Sequence, residues 1–296
     1  MKCLLVTIAI GEKYLDEYKN LFYKSQKEYA VKNGYEFKVI IDFLDKNNIN
    51  SSAISFNKIL VCNQEWSNDY DFIIFIDADI LININSPPIH NYIEYDDCIG
   101  IIDEFSQPSK ERRLKIQQKM GWETSATDHY KLCGFDIQTD MVFNSGILVM
   151  QPKKHNDFLL TIYNKYILQS RSHPRGFIFE QSCIGYELQK HNLYKIIDNK
   201  FNALWGLTKL DNIENISLNK YFNDNYFIHF AGHTDYDKIK SIKSIKSIKS
   251  IKSIKSIKSI KSIKSIKSIK SIEYLNLYII IQLLLIILLI KLFIKL

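Results

Sequence analysis

Phe72-Ile-Ile-Phe-Ile76 is apolar at every position and is followed at once by Asp77-Ala-Asp79. A run with no polar position predicts a strand covered on both faces, as in the parallel sheet of an α/β protein. Lys2 to Gly11 predicts a strand ending in a glycine turn, and Tyr14 to Asn33 an amphipathic helix that Gly34 stops. Tyr35 to Ile41 alternates into a second strand, and Ser55 to Trp66 predicts a helix leading into the central one. Further strands are expected at Cys98–Ile102, ending at Asp103, at Phe143–Met150 and at Tyr226–Gly232. Helices are expected at Ser109–Met120 and Asn156–Ser170, and another opens at Phe179–Gly185. Strands alternating with helices predict an α/β fold, a mostly parallel sheet flanked by helices. The long polar stretch from Ser106 to Asp140 follows a strand's carboxyl end, where a lid or acceptor-binding loop would sit.

The pattern changes twice near the C-terminus. Residues 1–237 read as one globular domain, 238–272 as an Ile-Lys-Ser repeat linker, and 273–296 as a membrane-spanning helix. A period of three keeps no apolar face on an α-helix, so the repeat predicts a solvated linker, extended or marginally helical. Tyr274 to Ile290 holds seventeen uncharged residues, close to the roughly 17–25 needed to cross a bilayer once Lys291 and Lys295 snorkel.

The formal charge of +7 belongs to this C-terminal part. Setting aside the eleven lysines of the repeat and the tail's single net positive charge leaves −5 for residues 1–239. An acidic domain argues against nucleic acid as its partner. The five cysteines, at 3, 62, 98, 133 and 183, show no CxxC spacing and suggest neither a disulfide framework nor a zinc site.

Asp77 and Asp79 carry the candidate chemistry. In an extended chain, residues i and i+2 point the same way, roughly 6–7 Å apart. Ligands of open α/β sheets bind outside the strands' carboxyl ends. A divalent cation relieves the repulsion of two carboxylates placed there. The chain has no G-x-G-x-x-G and no P-loop, so dinucleotide and Walker-type sites lack support. A haloacid-dehalogenase phosphatase motif has a similar core, hhhDxDx[TV], but Leu81 stands at its last position and the motif lies deep in the chain.

Six boxes in order carry a resemblance: Tyr29-Ala-Val-Lys-Asn-Gly-Tyr35, Phe56-Asn-Lys-Ile59, Phe75-Ile-Asp-Ala-Asp79, Phe143-Asn-Ser-Gly146, Glu180-Gln181 and His229-Phe-Ala-Gly232. Over residues 3 to 233 the chain resembles GT-A fold, nucleotide-sugar glycosyltransferases. It is most similar to the fungal galactosyl- and mannosyltransferase and plant xylosyltransferase family, and to its glycogenin-like relatives. The resemblance implies a GT-A (Rossmann-like) fold and hexosyl- or pentosyl-transfer from a UDP- or GDP-sugar to a glycan or protein acceptor, with retention of anomeric configuration.

It also implies roles. Asp79 and His229 would ligate Mn²⁺ or another divalent cation, with Asp77 sharing the metal or bridging to ribose. Asn144, Ser145 and Asp103 would hold the donor sugar, Gln181 and Glu180 would lie near the anomeric carbon, Thr7 and Tyr14 would hold the base, and Gly232 would border the donor. The residues also have plainer readings: a core histidine for His229, a cap or turn for Asp103 and Asn144, ordinary strand and helix-start positions for Thr7 and Tyr14. Glycogenin-like relatives carry a diphosphate-binding lysine where this chain has Asp235, so Lys58 or Lys238 is expected to substitute. If neither does, the alternative is a membrane-tethered, non-catalytic binding or scaffold protein on a degenerate transferase fold.

The lysines of the repeat place its side of the apolar tail in the cytosol. The N-terminal apolar run is too short for a convincing signal. Together these predict a tail-anchored, single-pass protein with a cytosolic catalytic domain, unlike the Golgi relatives, which are anchored by an N-terminal span.

Overall fold

The apolar runs form one six-stranded sheet. Its strands are β1 (Cys3–Ile8), β2 (Glu36–Ile40), β3 (Phe72–Ile76), β5 (Ile99–Asp103), β6 (Phe143–Met150) and β7 (Tyr194–Ile196), in the order β2-β1-β3-β6-β5-β7. Only β6 runs antiparallel to its neighbours, so the sheet is mostly parallel, as expected. Every residue of β3 is buried. Ile73 and Phe75 face one core layer and Phe72, Ile74 and Ile76 the other, which is why the run shows no alternation.

The computed structural model describes residues 1–50, 53–93, 97–169, 180–211, 216–232, 237–240 and 242. The chain divides into two compact units, Met1–Tyr236 and Asp237–Leu296. Most of the second, with the linker and membrane-helix expectations, lies outside the described residues. Among the described residues no helix is long and apolar enough to cross a membrane.

The expected helix over residues 14–33 is two helices, α1 (Glu12–Leu21) and α2 (Tyr23–Lys32). They part at Phe22, whose backbone (φ −117°, ψ −37°) departs from the helical well and whose ring packs on Phe230. The expected helix over 55–66 is a pair of 3₁₀ segments, Ser55–Asn63 and Glu65–Asp69. Side chains compete there for backbone carbonyls: Asn57 Nδ2 donates to Ala53 at 2.7 Å, Gln64 Nε2 to Leu60 at 3.1 Å and Ser67 Oγ to Cys62 at 2.7 Å. Burial of Phe56 through Cys62 holds the segment in place.

The polar stretch after β5 folds into α3 (Lys110–Met120) and α4 (Ala126–Leu132), each started by a serine cap, Ser109 and Ser125. Helices α5 (Pro152–Tyr166), α6 (Glu180–Lys190), α7 (Trp205–Asp211) and α8 (Leu218–Asp224) complete the helical elements.

A second, three-stranded sheet positions the site. Its strands are β4 (Ile80–Ile82), β8 (Ala203–Leu204) and β9 (Phe227–His229), with β9 in the middle. β4 is the direct continuation of β3 after Asp77-Ala78-Asp79, so the two carboxylates lie at the passage from one sheet to the other. β9 pairs antiparallel with β4, Ile80 opposite His229, and the Phe230 N–H donates to the Asp79 carbonyl at 3.1 Å. That register brings the histidine to the two aspartates.

Candidate active site

Asp77, Ala78 and Asp79 form a tight connection rather than an extended strand. The Asp77 N–H adds one bond to the ladder, donating to the Gly146 carbonyl at 2.8 Å, and the Ile80 N–H donates to the Asp77 carbonyl at 3.3 Å. The turn draws the carboxylates closer than an extended chain would. With His229 they offer three ligand atoms within 4.8 Å of one another. His229 Nε2 lies 3.2 Å from Asp79 Oδ1 and 3.7 Å from Asp77 Oδ2. His229 Nδ1 faces Asn202 Oδ1 at 2.9 Å.

Lys58 and Glu180 complete the cluster. The buried Lys58 ammonium lies 2.8 Å from Asp77 Oδ1 and 2.7 Å from Glu180 Oε1. Ser145 Oγ donates to the same Glu180 oxygen at 2.8 Å, while Oε2 of that carboxylate is buried with no hydrogen-bond partner among the described residues. Lys58 therefore holds two carboxylates rather than offering a free cation to a diphosphate, which revises the role expected of it. Asp235 lies outside the described residues, and Lys238 belongs to the second unit.

The electrostatics suit a divalent cation. With a neutral imidazole, Asp77, Asp79, Glu180 and Lys58 carry a formal −2, which one divalent ion neutralises. Burial pushes the Asp77 carboxyl above its ordinary range despite Lys58 and His229. Burial acts the same way on Asp79, but His229 outweighs it and holds that carboxyl low. Burial disfavours the His229 imidazolium, yet Asp79 and then Asp77 raise its pKa above the usual value. Two carboxylate oxygens and one imidazole nitrogen fit a borderline-hard ion such as Mn²⁺.

This cluster lies in a cavity of about 660 Å³ outside the ends of β1 and β3, within the usual size range for small-molecule sites. Tyr14, Asn144, Ser145, Gln181 and Gly232 line it. Gly232 takes φ +68°, a left-handed turn just past β9 that glycine adopts without strain. Two expected residues are not among those lining it. Thr7 is fully buried and points away; its neighbours Ile8 and Ile10 reach the cavity instead, because successive strand residues face opposite sides. Asp103 turns back into the fold, Oδ1 accepting from the N–H groups of Phe105 at 3.0 Å and Val142 at 3.2 Å, so its cap reading holds.

Glu104, the next residue, does the reaching. It borders a second cavity of about 520 Å³ that shares His129, Asn144, Gln181, Ala231 and Gly232 with the first. Arg113 from α3 grips Glu104 Oε1 at 2.9 Å, while Asn144 Nδ2 and Gln181 Nε2 donate to Oε2 at 3.0 and 3.2 Å. Burial raises the Glu104 pKa, but Arg113 and Asn144 more than compensate and leave it below the usual glutamate value. Trp122, Leu204 and Leu207 give this second cavity an apolar wall. Glu104, Arg113, Trp122, His129 and Asn202 were not evident from the sequence. A glutamate just past a strand end beside Asp103 was the one available signal.

No protein-family model matches the chain, and no curated protein matches it significantly. Solved structures do. A glycosyltransferase involved in the glycosylation of the major capsid of PBCV-1 superposes with a TM-score of 0.54 at 14% identity, covering 82% of this chain and 100% of that one. An active-site mutant of LgtC gives 0.51 at 12% identity, over 81% of this chain and 95% of its own. The bifunctional glycosyltransferase WbbM gives 0.52 at 15% identity, over 80% of this chain and 49% of its own. At these identities the likeness is one of fold: the chain has the GT-A-like fold of these glycosyltransferases.

Proposed function

We propose that the protein transfers a sugar from a nucleotide-diphosphate donor to a glycan or protein acceptor, using a divalent cation held by Asp77, Asp79 and His229. The observation that carries this reading is the convergence of these three side chains at the floor of the first cavity. A cation there supplies Lewis-acid stabilisation of the charge that develops on the departing diphosphate.

The remaining roles belong to the chain. Ile8, Ile10 and Tyr14 offer an apolar and aromatic mouth suited to a nucleobase. Asn144 and Gln181 line both cavities, and each amide nitrogen has a second N–H, beyond its bond to Glu104, for a sugar hydroxyl at the junction. The second cavity, with an acidic and basic floor and the Trp122 wall, suits a hydroxylated acceptor. Lys58 holds Asp77 and Glu180 in place through its two ion pairs. Retention of configuration and a UDP or GDP donor rest on the family resemblance. The tail-anchored, cytosol-facing arrangement rests on the seventeen uncharged residues 274–290 and the lysines before them.

One observation favours the non-catalytic reading. Lys58 is occupied by two carboxylates, and residue 235 is an aspartate. That reading expects nucleotide-sugar binding without turnover. The full chain incubated with a panel of UDP- and GDP-sugars and Mn²⁺ should release nucleoside diphosphate from one of them. Binding without release selects the non-catalytic module, and neither binding nor release overturns both.

A further inference from the structure

We infer that Asn202 is a positioning residue for His229, and that the Gly146 backbone amide, two side chains away, decides which imidazole nitrogen carries the proton and so leaves the Nε2 lone pair toward Asp77 and Asp79. This rests on the reading of those three residues as a cation site.

The Gly146 backbone N–H is the fixed point of this chain of hydrogen bonds. A backbone N–H can only donate. Gly146 N–H donates to Asn144 at 2.9 Å, so the Asn144 atom facing it is the carbonyl oxygen, Oδ1. The Asn144 NH₂ must then point the other way, toward Glu104 Oε2 at 3.0 Å, where a carboxylate oxygen accepts it. Asn202 meets the same Asn144 Oδ1 at 2.7 Å. Two oxygens at that distance would repel, so Asn202 presents its NH₂ to Asn144 and its Oδ1 to His229 Nδ1 at 2.9 Å. An amide oxygen only accepts, and Nδ1 must therefore carry a proton. The neutral imidazole is left with its lone pair on Nε2, the nitrogen that faces the two carboxylates. Each amide orientation follows from the one before it.

The chain is built not to slip. Asn144, Asn202 and His229 are all buried. The Asn202 carbonyl accepts from Gln107 Nε2 at 3.0 Å, and Gln107 Oε1 accepts from the Leu204 N–H at 3.1 Å, so one side chain ties down the backbone from Asn202 to Leu204. Gly146 also accepts the Asp77 N–H through its carbonyl, so one residue holds the backbone of one ligand and sets the tautomer of another. Metal-bound histidines typically donate their second ring N–H to such a partner, and losing it costs about 10–100-fold in metal affinity.

Asn202 has two jobs that substitutions separate. Asn202→Ala removes the acceptor for Nδ1–H. Asn202→Asp keeps an acceptor there but gives up the donation to Asn144, sets an oxygen against Asn144 Oδ1 and adds a negative charge beside the ring. Free Mn²⁺ can be followed by the paramagnetic resonance of the aqua ion while it is titrated into the full chain. Asn202→Ala is expected to bind about 10–100-fold more weakly than the wild type. Asn202→Asp is expected to bind within about threefold of it, a rescue that a packing role would not produce. Equal affinity in Asn202→Ala, or an equal loss in both variants, overturns the inference. Wild-type protein that takes up no Mn²⁺ overturns the cation site itself, and this inference with it. Should Asn202→Ala fail to fold, ¹⁵N-histidine spectra of the metal-free full chain decide the matter, taken at a pH where the ring is neutral, with His229 assigned by its loss in His229→Gln. A protonated Nδ1 is the expected result, and a protonated Nε2 contradicts it.

Discussion

The Lys58 ammonium lies 2.8 Å from Asp77 Oδ1, and the same ammonium reaches Glu180 Oε1 at 2.7 Å. Lys58 and Glu180 are almost wholly shielded from water, their side chains 5% and 4% exposed. Breaking one member of a buried ion pair leaves an uncompensated charge, which costs about 3–5 kcal/mol. Lys58→Met should therefore lower the stability of the domain by that order in urea titrations. A loss under about 1 kcal/mol would show that Lys58 is not the anchor described above.

Gly146 is constrained by the ring beside it. A Cβ there would lie 2.5 Å from His229 Cε1, 2.7 Å from His229 Nδ1 and 2.9 Å from Asn144 Oδ1. All three are distances real Cβ atoms essentially never show, so the imidazole must move. Gly146→Ala should reduce Mn²⁺ affinity by about 10–100-fold, the scale of a displaced ligand. Isothermal titration of Mn²⁺ into the variant reads this directly, and unchanged affinity would mean that the ring is not held where it lies.

His155, buried in the first turn of α5, makes stability pH-dependent. Its Nδ1 accepts from the Gln151 N–H at 2.9 Å, and its Nε2 donates to the Asp97 carbonyl at 2.9 Å. Burial lowers its pKa from the usual 6.5, more than the Asp97 carbonyl raises it. The unfolded chain therefore takes up this proton at a higher pH than the folded one. The stabilisation is full above about pH 6.5 and falls as pH drops through the folded-state pKa. Melting temperatures measured from pH 7.5 down to 5.5 should fall more steeply in the wild type than in His155→Gln. Equal slopes would assign the acid sensitivity elsewhere.

Much of this was legible in the sequence because it depends on burial and spacing. β3 and β6 stood out as apolar runs because both faces of a central strand are covered. Asp77, Asp79 and His229 stood out as polar residues at the ends of such runs. The errors arose where local chemistry overrode pattern. Residues 55–63 have helix-like spacing, but Asn57, Gln64 and Ser67 draw the carbonyls into a 3₁₀ path. Asp103 was one position off: it ends the strand and caps the turn, and Glu104 enters the cavity. Asn202 gave no signal at all. It sits in a short 3₁₀ turn before a two-residue strand, and its importance arises only from side chains that meet in three dimensions.

If sugar transfer depends on a cation at Asp77, Asp79 and His229, turnover disappears when metal is removed and returns when it is restored. With the donor identified by nucleoside diphosphate release, the full chain should lose turnover in EDTA and regain it when Mn²⁺ is added in excess. Asp79→Asn should stay inactive in both conditions while melting at the wild-type temperature or close to it. Turnover undiminished in EDTA, or an Asp79→Asn variant as active as the wild type, would contradict the account.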